Sequence, residues 1–321
     1  MTLRTISSAL ICAVTLLSSV DVLAAGALSH RRTPYVGAIS ADASTGRVIV
    51  SDGENREAYP ASVTKLMTAL IVLEDIKAGR YAFDDIVTAT PDVYRSEASW
   101  VGIKAGEKMS VRDLLYALMV ESANDAAIAL GVKSSGSLSA FIARMNERAS
   151  ALGMTRTRYY NPNGLPPGKR YPWKNFNVST AADQLKLALQ IVKHREIFDF
   201  TSVKTCDLIR TKEGYRISVT RKANKPFKES KLLPGEKIVK TLKNHNNILR
   251  VDKKKVMNPD GTEAVDGLKT GYIDAGGSSV VLTGVRCGKR AVVVVLGSAS
   301  SAIRDEHARR LLADALGSLV W

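Results

Sequence analysis

The chain of 321 residues has only three cysteines and four histidines. Three thiols cannot build a disulfide-dense scaffold, and four scattered imidazoles argue against a His-rich metal centre. No apolar run reaches the ~20 residues that a transmembrane helix needs. There is no internal repeat and no low-complexity segment. With 45% hydrophobic and 24% charged residues, disorder, collagen and coiled coil are excluded as whole-chain descriptions. Acidic residues are scarce: 31 Asp and Glu face 46 Lys and Arg, a net charge of +15. Such an excess points to an anionic partner or surface.

The first 24 residues have the layout of a secretory signal peptide: Arg4, a short apolar run from Ala9 to Leu17, then Val22-Leu23-Ala24 before a cleavage point. Read as an anchor, the same run falls short of a span. Residues 25–321 then form one catalytic-sized unit. Cleavage removes Cys12 and leaves Cys206 and Cys287, which either pair or stay as two thiols. Much of the positive charge lies between Lys204 and Lys255, where sixteen Lys/Arg meet five Asp/Glu. The lysine-rich part, about 204–243, reads as an insertion. It is either a solvated basic surface or a patch for anionic envelope polymers. Nucleic acid is the poorer partner, because only Tyr215 and Phe227 are there to stack on bases.

Val36–Ala41 and Arg47–Val50 flank a Gly-containing turn, as in a β-hairpin. A helix is expected from about Ala61 or Ser62, just after Pro60. Residues 77–190 read as mostly helical: Val111–Leu130 with an interruption near Glu121–Asn124, Leu138–Ala151, and a helix opened by Ser179-Thr180. Val265–Lys269, Ser278–Arg286 and Ala291–Leu296 read as strands, the last two as a hairpin. Ala302–Leu316 closes the chain as a helix. The expected fold is α+β: one antiparallel sheet built from both ends of the chain, flanked by helices, with an inserted helical lobe and a cleft between them.

Three short motifs carry chemistry: Ser62-Val63-Thr64-Lys65, Ser122-Ala123-Asn124 and Lys269-Thr270-Gly271. The first two are cheap by chance, and the third is expected on the order of 0.1 times in such a chain. All three in this order form the signature of penicillin-binding proteins and class A β-lactamases. A serine needs a base to attack. Lys65 lies one helical turn from Ser62, and burial, the helix dipole and a second cation, Lys269, would each lower its pKa. Ser122 can relay a proton, and Asn124 can hold a substrate amide. Lys269 suits a substrate carboxylate, and the backbone from Gly271 can lie beside substrate like an added strand.

The segments YPASVTKLMTAL, LMVESANDAAIALG, NERASALGMTRTRYYNPNGL and VDGLKTGYIDAGGSSVVLTGV extend the likeness over most of the chain. They resemble the serine D-alanyl-D-alanine carboxypeptidases, the low-molecular-mass penicillin-binding proteins. The resemblance implies a β-lactamase/transpeptidase-like fold. It implies Ser62 as acylated nucleophile, Lys65 as base and Ser122 in the second proton transfer. Asn124 would position the peptide, while Lys269, Thr270 and Arg304 would bind its carboxylate. The N–H groups of Ser62 and Tyr272 would form an oxyanion hole. The substrate would be a peptidoglycan stem pentapeptide, β-lactams would inhibit, and no metal or cofactor would take part.

Ala123 departs from the glycine common at that position. Many relatives continue into a β-rich domain and an amphipathic anchor, whereas this sequence stops at Trp321; the expectation is an enzyme soluble in the periplasm or outside the cell. Two rival readings use the same features. A D,D-endopeptidase would cut cross-links with the same residues in a wider cleft, and a non-catalytic wall-binding protein would rely on the basic insertion. A β-lactamase is disfavoured by the lack of a Glu-x-x-x-Asn-type segment after Asn124.

Overall fold

The structure, a computed structural model, describes residues 34–93, 99–168, 174–222, 231–251 and 255–320. The signal peptide expected at 1–24 lies outside the described residues. Strands β1 (Gly37–Asp42) and β2 (Val48–Asp52) form the expected hairpin, and a 3₁₀ turn (Ala61–Thr64) leads into α1 (Lys65–Lys77). Then follow β3 (Ile86–Thr88), β4 (Lys108–Ser110), α2 (Val111–Val120), α3 (Asn124–Ser135), α4 (Leu138–Ala151), α5 (Ala181–Ile191) and α6 (Ile197–Thr201). The chain continues through β5 (Val203–Arg210), β6 (Tyr215–Lys222), β7 (Lys237–Lys243), α7 (Asn247–Arg250), β8 (Val265–Ile273), β9 (Gly277–Arg286), β10 (Lys289–Ser298) and α8 (Ser301–Ser318).

Both chain ends meet in one antiparallel sheet of order β2-β1-β10-β9-β8. Its central strand β10 explains its own composition. Val292, Val294 and Leu296 join the core beneath α1 and α5, while Ala291, Val293 and Val295 join the core beneath α8. A strand alternates faces with period two, so a strand covered on both sides has no position left for a polar residue. Each of these buried valines contributes about 2 kcal/mol of burial.

Helix ends are set locally. Ser110, Ser137, Thr180 and Ser300 each accept the N–H three residues on, capping α2, α4, α5 and α8. The expected interruption of the 111–130 helix occurs at Glu121–Ala123, where Ser122 adopts φ 61°. The ribbon β3-β4 escapes the helical reading of residues 77–190, and the strand-like Tyr215–Val219 of the basic stretch lies in a second sheet of order β6-β5-β7.

The basic stretch is partly neutralised. Lys204 pairs with Glu263 at 2.8 Å, Arg210 with Glu107 at 2.6 Å, Arg216 with Glu236 at 2.5 Å and Lys240 with Glu121. Three of these acids lie outside the stretch, so the pairs tie the second sheet to the helical lobe and to the main sheet's flank. Cys206 is buried and Cys287 exposed, and both are free thiols. Among the described residues no single helix is long and apolar enough to cross a membrane.

Candidate active site

The Ser62 turn is shaped by close backbone packing. Pro60 precedes Ala61, which takes φ 48°, and the turn then runs directly into α1. β8 passes so near that a Cβ on Gly271 would lie 2.6 Å from Pro60 O and 2.9 Å from Ser62 N. Glycine is thus required at 271 by lack of space, a more specific reason than its flexibility. On the other side Gly164, at φ 83°, would place a Cβ 1.8 Å from Ala61 O.

Lys65 is fully buried. Its Nζ lies 2.9 Å from Ser62 Oγ, 2.8 Å from Asn124 Oδ1 and 2.7 Å from the carbonyl oxygen of Asn163. Two of these partners are carbonyl acceptors and one is a hydroxyl. All three accept from Lys65; once the amine is neutral, the two carbonyls can keep its two hydrogens while its lone pair faces Ser62. Desolvation, followed by the charge of Lys269, pushes the Lys65 pKa well down; Asp125 opposes them weakly. The Lys65 amine is therefore equipped to take the Ser62 proton.

The wall facing Ser62 is built by the α2-α3 break. Ser122 is buried, and its Oγ has no hydrogen-bond partner in the structure. The Asn124 backbone N–H donates to Ser99 O at 2.9 Å. Asp125 accepts from the N–H groups of Val101, Gly102 and Ile103, the shortest at 2.8 Å, and so fixes the loop that carries Ser99. Burial raises the Asp125 pKa, and these same N–H groups pull against it.

The Asn161–Gly164 turn is stapled to α1. Asn161 Oδ1 accepts from Gly164 N at 2.6 Å, Thr68 Oγ1 donates to Pro162 O at 2.7 Å, and Asn177 Nδ2 donates to Thr64 Oγ1 at 3.0 Å. This holds the Asn163 carbonyl against Lys65.

Ser62, Ser122, Asn124, Thr270, Gly271, Tyr272 and Arg304 line one cavity of about 490 Å³. Lys269 stands behind that wall, 2% exposed, with its ammonium donating to Thr270 O at 2.8 Å. Burial first, then Arg304, bring its pKa down to about 7. Arg304, in α8, is braced by Asp305 through Nε at 2.8 Å. All nine residues singled out from the sequence thus converge.

Eight cavity residues lie outside that set, among them Gly164, His245, Asn247 and Arg250. Asn161-Pro162-Asn163-Gly164 announced a turn, but nothing local says that the turn meets Lys65. No histidine lies near Ser62 in the sequence, yet the fold brings His245 to the same cavity. Desolvation there, with the charges of Lys269 and Lys65, pushes it down to about 4. Lys65, and not His245, is bonded to Ser62 Oγ.

Comparison with known proteins agrees with this geometry. The D-alanyl-D-alanine carboxypeptidase family, peptidase S11, matches residues 34–300. The D-alanyl-D-alanine carboxypeptidase DacD of Salmonella typhimurium is 31% identical over 279 residues, 84% of this chain and 60% of the relative. The chain spans about 60% of the length of the first curated relatives it matches. Among solved structures, the D-alanyl-D-alanine carboxypeptidase DacD of Francisella tularensis superposes with a TM-score of 0.72 at 28% identity, covering 89% of this chain and 71% of that one. Penicillin-binding protein D2 of Listeria monocytogenes, solved with ampicillin bound, gives 0.65 at 26% identity over 88% of this chain and 97% of its own. By sequence and by fold, the chain belongs to the D-alanyl-D-alanine carboxypeptidase family.

Proposed function

We propose that residues 25–321 are an exported serine D-alanyl-D-alanine carboxypeptidase that trims peptidoglycan stem pentapeptides, residues 1–24 being its signal peptide. Ser62 Oγ attacks the carbonyl carbon of the penultimate D-alanine, and neutral Lys65 takes its proton. The oxyanion rests on the N–H groups of Ser62 and Tyr272. Ser122 passes a proton to the leaving nitrogen, and the terminal D-alanine departs. Water then hydrolyses the Ser62 ester, with Lys65 again as base. Asn124 holds the peptide amide. Thr270 and Arg304 hold the terminal carboxylate, with the positive charge of Lys269 close behind.

The observation that carries this reading is the buried Lys65 amine 2.9 Å from Ser62 Oγ, with two carbonyls consuming its hydrogens. A solvated lysine or a simple helix cap needs none of this, and a wall-binding protein without catalysis has no use for it. Family membership supports the substrate, and the ampicillin-bound relative supports penicillins as acylating inhibitors. Intact-protein mass spectrometry after incubation with a penicillin tests it. A stable adduct on the parent and none on Ser62→Ala is expected. A folded parent that neither forms an adduct nor consumes penicillin would overturn it.

The insertion is proposed to add affinity for anionic envelope polymers through residues 204–255. With Lys204, Arg210, Arg216 and Lys240 already paired, the exposed Lys231, Lys237 and Lys243 are its main contacts. Binding to sacculi should weaken as salt rises. Salt-insensitive binding would refute it.

A further inference from the structure

The cavity is electrostatically lopsided. None of its lining residues is acidic, and two of them are arginines, Arg250 and Arg304. α8 contributes Arg304, and α7 contributes Arg250. α7 packs where β8 begins: its Ile248 and Leu249 share a core with Val265 and with Ala308 and Leu311 of α8. Arg250 therefore enters the cavity from the side where β8 begins, ahead of Lys269 and Thr270, where the proposed reaction puts the substrate's carboxylate and its departing residue.

Arg250 is oriented before any ligand arrives. Its Nε donates to Asn244 O at 2.8 Å and its Nη2 to Asn247 Oδ1 at 3.1 Å. Asn244 is itself anchored, donating to Val203 O at 2.8 Å and accepting from Asn246 N at 2.9 Å. Arg304 faces a carboxylate of this chain, Asp305. Arg250 makes no ion pair with any described residue; both its hydrogen bonds go to neutral oxygens. A guanidinium held on a cavity wall by neutral groups keeps its full charge for a ligand.

A departing D-alanine has one carboxylate, and Thr270, Arg304 and Lys269 already answer it. We propose that Arg250 binds a second carboxylate on the leaving group, so that the site favours leaving D-amino acids with an acidic side chain over neutral ones. The inference rests on the acyl-serine reading above and extends it to the choice of leaving group.

Three synthetic substrates test it: diacetyl-L-Lys-D-Ala linked to D-Ala, to D-Glu or to D-Gln. The parent should show kcat/KM for D-Glu release about tenfold or more above D-Gln release, the value of a charge-assisted contact. In Arg250→Gln the ratio should fall to about one, and Arg250→Lys should retain part of it. A parent ratio near one would overturn the assignment. So would a ratio that persists in Arg250→Gln, or an equal loss on all three substrates, which would mean that Arg250 serves the main carboxylate or the fold. Penicillin adduct formation, read on the same samples, separates the two failures. A parent with neither adduct nor release of any residue refutes the acyl-serine reading, whereas an adduct without the D-Glu preference refutes only the role of Arg250.

Discussion

The backbone carbonyl of Asn163 lies 2.7 Å from Lys65 Nζ, although 98 residues separate the two in sequence. With Asn124 Oδ1 it can take both hydrogens of a neutral amine, which frees the lone pair for the Ser62 proton. In the proposed mechanism acylation requires Lys65 deprotonated, while carboxylate binding requires Lys269 protonated. Lys65 is depressed well below the usual lysine range and Lys269 lies at about 7. The expected kcat/KM profile rises with pH as Lys65 loses its proton and falls above about 7 as Lys269 does. A bound carboxylate raises the Lys269 pKa, so the falling limb of kcat should lie at higher pH than that of kcat/KM. Initial rates of D-alanine release across pH 5–10 check this order. Coincident limbs would remove Lys269 from carboxylate binding.

Ser122 has a buried hydroxyl with no hydrogen-bond partner. Ser122→Ala deletes a desolvated polar atom without breaking a bond, so Tm should stay level or rise. In the proposed mechanism the proton relay to the leaving nitrogen is lost, and D-alanine release should slow about 10²–10⁴-fold. Thermal melts and turnover on one preparation suffice. A large drop in Tm would reveal a structural role instead.

Gly271→Ala places a Cβ against Pro60 O and Ser62 N. Two backbones must then separate, and the nucleophile turn moves with them. Penicillin acylation should fall by about 10²-fold, the typical cost of a misplaced reacting group. Gly288→Ala is the contrast: its φ is 74°, but a Cβ there meets nothing within 4 Å. That change should cost about 1 kcal/mol of stability and leave acylation unaltered. Equal effects of the two variants on acylation would refute the packing argument.

Asp75 anchors the helical lobe. Its buried carboxylate accepts from Arg144 at 2.9 Å, Ser134 at 2.6 Å, Tyr81 at 3.0 Å and Arg80 at 2.8 Å. Burial raises its pKa, but these donors, Arg144 foremost, outweigh it and hold it below 3.8. A depressed carboxylate contributes stability that is complete above its unfolded pKa and is lost as pH falls through the folded one. Asp75→Asn should cost about 3–5 kcal/mol at pH 7, because Arg144 loses its partner, and the variant should lose less than the parent on acidification below pH 4. Urea unfolding at pH 7 and pH 3 measures both; a parallel pH response would dismiss the ion cluster.

The positions of Ser62, Lys65, Ser122 and Asn124 were legible because each pair is local. Ser62 and Lys65 are one turn apart, and Ser122-Ala123-Asn124 breaks an otherwise continuous apolar pattern. The second sheet was less legible. Ile238 and Val239 of β7 are both exposed, so the strand lacks the one-sided apolar pattern that announces a strand. The basic stretch looked like free charge because its partners Glu107, Glu121 and Glu263 lie far away in sequence.

Sequence alone determined the hairpins, the capped helices and the three motifs, since turns, caps and i,i+3 faces depend on neighbours within a few residues. Only the tertiary structure decided that Lys65 is dry and flanked by two carbonyls, that Cys206 and Cys287 stay apart, and that His245 and Arg250 enter the cavity. Burial and charge proximity set those properties, and both are made by segments that meet only when the two ends of the chain close one sheet over the inserted lobe.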